Sequence, residues 1–185
     1  MGFRTTPQEE VAAAPGSRRW PILVSVLALC ATAVATQAAD IDLNVIRAKL
    51  KSGTGEAKGR IVATGDFVLP SSPGGAFAGA TSVDVRITDA IGLDETFAIP
   101  CAPLASTSLK CLSDDPRVKL TLRFGTPGPT AIAVRFKFRA VRLAIDAPFK
   151  EPVTVAVTEQ PSGTTLEGSI VDCQQKNTVL KCREF

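Results

Sequence analysis

One pattern occurs twice in this chain. Arg47-x-Lys49-Leu50 returns 70 positions later as Arg117-x-Lys119-Leu120, and Val83-x-Val85-x-Ile87-Thr88-Asp89 returns at the same offset as Val153-x-Val155-x-Val157-Thr158-Glu159. Each copy closes on a cysteine pair, Cys101 and Cys111 in the first and Cys173 and Cys182 in the second. Self-similarity at a fixed period marks a repeated structural unit. It predicts an all-β chain of two tandem antiparallel β-sandwich-like modules, residues 40–115 and 116–185, each closed by a hairpin disulfide. Four cysteines allow three pairings; if each unit keeps its own bridge, Cys101 pairs with Cys111 and Cys173 with Cys182. Closing a loop that short contributes about 2 to 3 kcal/mol by restricting the unfolded chain.

Arg18 and Arg19 precede an apolar run from Ile22 to Val34, with small residues following at Ala33-Val34-Ala35 and Thr36-Gln37-Ala38. A basic flank, a short apolar stretch and a small-residue site read as a secretory signal peptide over residues 1–39 with an extended N-region. The run, interrupted by Ser25 and Thr32, falls short of the roughly 20 residues of a spanning helix, so no transmembrane span is expected after cleavage. Cleavage near Ala39 leaves four of the five cysteines. An even number in an exported chain predicts disulfides rather than metal or thiol chemistry, and a periplasmic or extracellular location. Removing Arg4, Arg18, Arg19, Glu9 and Glu10 from 21 basic and 18 acidic residues leaves 18 and 16. That balance selects no partner by itself.

The dominant period beyond the signal is two. Ile46, Ala48 and Leu50 alternate with Arg47, Lys49 and Lys51, and Val118, Leu120, Leu122 and Phe124 alternate with Lys119, Thr121 and Arg123. Such alternation marks half-buried antiparallel strands. Strands are expected near 43–51, 59–69, 81–89, 95–101 and 108–112, then 117–124, 131–145, 152–158, 165–173 and 179–183. Turn signals separate them, among them Asp114-Asp115-Pro116 between the two halves and Gly125-Thr126-Pro127-Gly128-Pro129. That first linker is short enough for the modules to pack as one continuous sandwich. Within 131–145 the apolar residues pass from Val134, Phe136 and Phe138 to Val141, Leu143 and Ile145. This slip in phase predicts a bulge near Ala140.

The chain after residue 39 contains no His, Tyr or Trp. Without His there is no Ser-His-Asp or Cys-His nucleophile and no histidine metal site; no cofactor is expected. Carboxylate- or metal-dependent hydrolysis is the alternative that survives. Asp40-x-Asp42-x-Asn44 and Asp89 through Asp94-Glu95 bring oxygen ligands together, yet neither has the spacing of a calcium loop. They read as a solvated segment and an acidic turn.

The more specific pattern is basic. If 117–124 and 131–139 form a hairpin, Lys119 and Arg123 share its outer face with Arg135, Lys137 and Arg139. Like charges on neighbouring strands repel. They read either as a solvated, edge-protecting face or as an anion-binding one, for an anionic glycan, a lipid headgroup or an envelope protein. Nucleic acid is not expected, because Tyr and Trp for base stacking are lacking. The expectation is a non-enzymatic exported protein, structural or binding.

Overall fold

The computed structural model describes residues 42–53, 58–71, 75–105, 107–114 and 117–184. The segment read as a signal peptide, Asp40 and the linker residues Asp115 and Pro116 lie outside the described residues. The rest form eleven strands: β1 (Asn44–Lys51), β2 (Gly59–Pro70), β3 (Ser82–Thr88), β4 (Asp94–Pro100), β5 (Ser108–Ser113), β6 (Arg117–Phe124), β7 (Ala131–Leu143), β8 (Val153–Gln160), β9 (Thr165–Ile170), β10 (Cys173–Lys176) and β11 (Val179–Arg183). They build two antiparallel sheets, one of order β10-β11-β1-β2-β7-β6-β5 and one of order β4-β3-β8-β9.

Alternation translates directly into burial. Val83, Val85 and Ile87 of β3, Val153, Val155 and Val157 of β8, and Val134, Phe136, Phe138 and Ala140 of β7 are all buried. One hydrophobic cluster contains the inward residues of both sheets. Phe97 of β4 and Phe138 of β7 meet in it, ring centroids 5.4 Å apart. The sheets also touch through backbone. Leu43 N–H donates to Glu167 O at 3.1 Å, an approach so close that a Cβ at Gly168 would strike the Leu43 carbonyl. At the other edge Cys101 follows β4 and bridges to Cys111 of β5.

Both sheets draw strands from both halves. β2 pairs with β7 and β3 with β8, so strands of the two halves meet at the centre of each sheet; the four-stranded sheet divides there, whereas in the seven-stranded one β10 and β11 of the second half lie beyond β1, and β5 of the first half lies beyond β6. On either side of that pair the order matches, β1 flanking β2 as β6 flanks β7, and β4 flanking β3 as β9 flanks β8. The two disulfides, Cys101–Cys111 and Cys173–Cys182, close as the repeat predicts, each between directly opposed residues.

Two local features differ from the sequence expectation. The stretch read as one strand over 165–173 is two: β9 ends at Ile170, and after Val171 and Asp172 the chain joins the larger sheet as β10, which sets Cys173 opposite Cys182. Asn177, at φ 51°, starts the two-residue turn into β11, a position where Asn is tolerated in the left-handed region. The phase slip of β7 is a bulge, but it falls at Arg142. The ladder passes from Arg60↔Val141 to Gly59↔Leu143, leaving Arg142 as the extra residue at φ 66°.

Candidate anion-binding face

Four rows of outward positions cross the strands of the seven-stranded sheet between β11 and β5. The central row runs Lys181, Lys49, Val62, Arg139, Lys119, Leu112 from β11 to β5. On one side lie Arg183, Arg47, Thr64, Lys137, Thr121 and Lys110, and on the other Val179, Lys51, Arg60, Val141 and Arg117. A fourth row holds Asn44, Asp66, Arg135, Arg123 and Ser108. Thirteen of these positions are Lys or Arg and one, Asp66, is a carboxylate.

The five cations singled out from the sequence, Lys119, Arg123, Arg135, Lys137 and Arg139, are all exposed on this face. Lys119 stands opposite Arg139 and Arg123 opposite Arg135. The basic residues that alternate through β1 continue the pattern, and the sheet order gives each a like-charged partner: Lys49 opposes Lys181, Arg47 opposes Arg183 and Lys51 opposes Arg60. Directly opposed like charges destabilise a ladder. Among the described residues none of these cations forms an ion pair; the ion pair present is Arg86–Asp94 on the other sheet, at 2.7 Å. Asp66 is engaged by Asn44, whose Nδ2 donates to its Oδ1 at 3.2 Å.

The face is not flat. One groove, about 630 Å³, is lined by Lys119, Arg123, Arg135, Lys137 and Arg139 together with Thr64, Thr121, Asp66 and the buried Phe136. A second, about 370 Å³, is lined by Lys49, Lys51, Lys58, Arg60, Arg139 and Arg142 with no carboxylate. Arg139 borders both. The bulge supplies the second groove: a Cβ on Gly59 would meet the Leu143 carbonyl at 2.6 Å, so the strands close in there and Arg142 turns onto the rim. Grooves lined by one sign of charge concentrate counter-ions of the other.

The acidic clusters take up different work. Asp89 Oδ1 accepts the backbone N–H groups of Ile91, Gly92 and Leu93, and Oδ2 accepts that of Lys150 at 3.0 Å. Partial burial pushes this carboxyl up, and the four backbone donors outweigh it, holding it below the usual range. The bidentate hydrogen bonds of Arg86 likewise hold Asp94 low, and Asp94 in turn raises the guanidinium. The Asp89–Asp94 stretch is therefore a self-capped turn. Comparison with family models, with curated proteins and with solved structures returns no match to this chain.

Proposed function

We propose that the chain is an exported, non-enzymatic β-sandwich, arisen by tandem duplication, that binds anionic envelope ligands, a glycan or a lipid headgroup, through the outward face of its seven-stranded sheet. The observation that carries this reading is the set of like-charged pairs left opposed across three strand pairs, β11–β1, β1–β2 and β7–β6, with a single carboxylate in the rows that hold them. A face serving only to solvate the sheet would be expected to mix signs. The matched strand order on either side of β2–β7 and β3–β8 supports the duplication, and one shared core under both sheets supports the sandwich. Two closed intramolecular disulfides fit an oxidising compartment.

A carboxylate-dependent hydrolase has no observation of its own in favour. Asp84 accepts from Gln160 Nε2 at 2.9 Å, Asp94 holds Arg86, Asp89 holds its loop, and Glu159 accepts from Ser162 Oγ at 3.0 Å.

The test is binding to a panel of anionic glycans and anionic lipid vesicles over a salt series, beside a variant carrying Gln at Lys119, Arg123, Arg135, Lys137 and Arg139. Binding that weakens with salt and disappears in the folded variant is the expected result. Binding indifferent to the variant, or no binding at all, would return the face to ordinary solvated surface.

A further inference from the structure

Five residues of the smaller groove have counterparts in the larger one. In the repeated segments of β1 and β6, Lys49 matches Lys119 and Lys51 matches Thr121. Across the ladder Lys49 faces Val62 and Lys51 faces Arg60, whereas Lys119 faces Arg139 and Thr121 faces Lys137. Val62 therefore matches Arg139, and Arg60 matches Lys137. These matched strands are themselves partners: Val62 pairs with Arg139, and the pair Arg60↔Val141 maps onto the pair Lys137↔Thr64. The correspondence is a two-fold rotation about the Val62–Arg139 pair that exchanges the halves of the chain. Applied to Lys49, Lys51, Gly59, Arg60 and Val141 of the smaller groove, it returns Lys119, Thr121, Phe136, Lys137 and Thr64, all of which line the larger one.

We infer that the protein carries two quasi-equivalent anion subsites, related by this internal two-fold and sharing Arg139, and that its ligand is a linear anionic glycan occupying both. The inference rests on the anion-binding reading of the face and adds its stoichiometry and ligand class. The copies have diverged in size and charge. The smaller holds six cations and no carboxylate, suited to one compact, densely charged group; the larger holds five cations and Asp66, suited to a broader unit bearing hydroxyls as well as charge. Between them runs the central row, whose neighbouring strands lie about 4.8 Å apart, giving a chain of regularly spaced anions a continuous path past Arg139. A bilayer is flat on this scale and would meet the rims of the grooves while leaving Gly59 and Phe136 at their floors out of reach. A nucleic acid would want exposed aromatic faces, whereas the one aromatic lining either groove, Phe136, is 2% exposed.

The experiment is calorimetric titration of the folded chain with short and long fragments of a carboxylated and of a sulfated glycan, with phosphatidylglycerol vesicles as a third probe. Short fragments are expected to bind two per chain. A long fragment should bind one per chain and at least tenfold tighter, because the second contact becomes intramolecular. Lys49→Gln with Arg60→Gln should abolish one short-fragment site, Lys119→Gln with Lys137→Gln the other, and Arg139→Gln should weaken both by about five- to tenfold, the loss of one charge-assisted contact at each. Thermal unfolding of each variant at or above the wild-type midpoint certifies that it folds. One short fragment per wild-type chain, or two that ignore the variants, overturns the paired subsites while polyanion binding stands. Vesicle binding without glycan binding overturns the glycan in favour of a lipid surface. No binding to any probe overturns the reading of the face itself.

Discussion

The two sheets of this protein bury the same kind of inner surface and treat their outer surfaces oppositely. On the four-stranded sheet, outward polar groups are matched across the ladder: Arg86 grips Asp94, Gln160 Nε2 donates to Asp84, and the hydroxyls of Thr154 and Ser169 and of Thr158 and Thr165 lie 2.7 and 2.8 Å apart. On the seven-stranded sheet, cation faces cation at Lys119↔Arg139, Arg123↔Arg135, Lys49↔Lys181 and Arg47↔Arg183. Both outer faces are borne by antiparallel ladders over one core, the larger sheet's interrupted by bulges in β1 and β7. The cross-strand stability given up in these like-signed positions supports the proposal that the face binds an anion.

The largest expected effect probes what the sheets share. Phe138→Ala removes a fully buried ring that touches Phe97 of the opposite sheet, and should cost about 3 to 5 kcal/mol in denaturant unfolding while both sheets unfold in one transition. Two separate transitions would split the common core. Next come the disulfides. Replacing Cys101 and Cys111 by Ala, or Cys173 and Cys182 by Ala, should each cost about 2 to 3 kcal/mol, and by similar amounts, because the loops span 10 and 9 positions at matched places in the two halves. A large inequality would count against the proposed duplication.

Asp89 gives a smaller effect with a definite pH sign. Its folded carboxyl is depressed by four backbone donors, so its contribution is present above the unfolded value of about 3.9 and is lost as pH falls through the folded value. Asp89→Asn should cost about 1 kcal/mol at neutral pH and flatten the decline in stability below about pH 4, followed by thermal unfolding. A variant as acid-sensitive as the wild type would move the acid response elsewhere. Smallest and most discriminating is charge removal on the two outer faces. Lys119→Gln should stabilise the chain by a few tenths of a kcal/mol at low salt and lose that advantage as salt rises. Arg86→Gln should destabilise it slightly, since Asp94 loses its partner. Effects of the same sign at both positions would erase the contrast between the sheets.

Strands were legible in the sequence wherever the period of two was unbroken, because that signal is local; β6 and β7 are a hairpin, so the five cations they carry could be brought together on paper. What lay beyond reach was non-local. Nothing in the segment around Arg47 tells that β11 lies on one side of it and β2 on the other, so the opposition of Arg47 to Arg183 and of Lys51 to Arg60 needs the sheet order. The bulge in β7 is visible as a change of phase, but the sequence points to Ala140 and the structure to Arg142, because a phase change does not say which residue takes the left-handed backbone, and here an Arg does. The corner at Val171 and Asp172 was hidden for a related reason: the adjacent apolar residues Ile170 and Val171 mark a slip in phase, which does not tell that the strand changes sheets. The second groove was missed altogether, since Lys58 and Arg142 border it from outside the regular ladder.

The most direct test is the shift in unfolding temperature on adding a saturating linear anionic glycan, measured for the wild type and for the variant with Gln at Lys119, Arg123, Arg135, Lys137 and Arg139. A ligand that binds only the folded state raises stability by mass action, about 2.7 kcal/mol at one hundred times its dissociation constant. The variant alone is expected to unfold at a higher temperature than the wild type and to lose the response to glycan that the wild type shows. A wild type that fails to respond, or a variant that responds equally, would contradict that expectation.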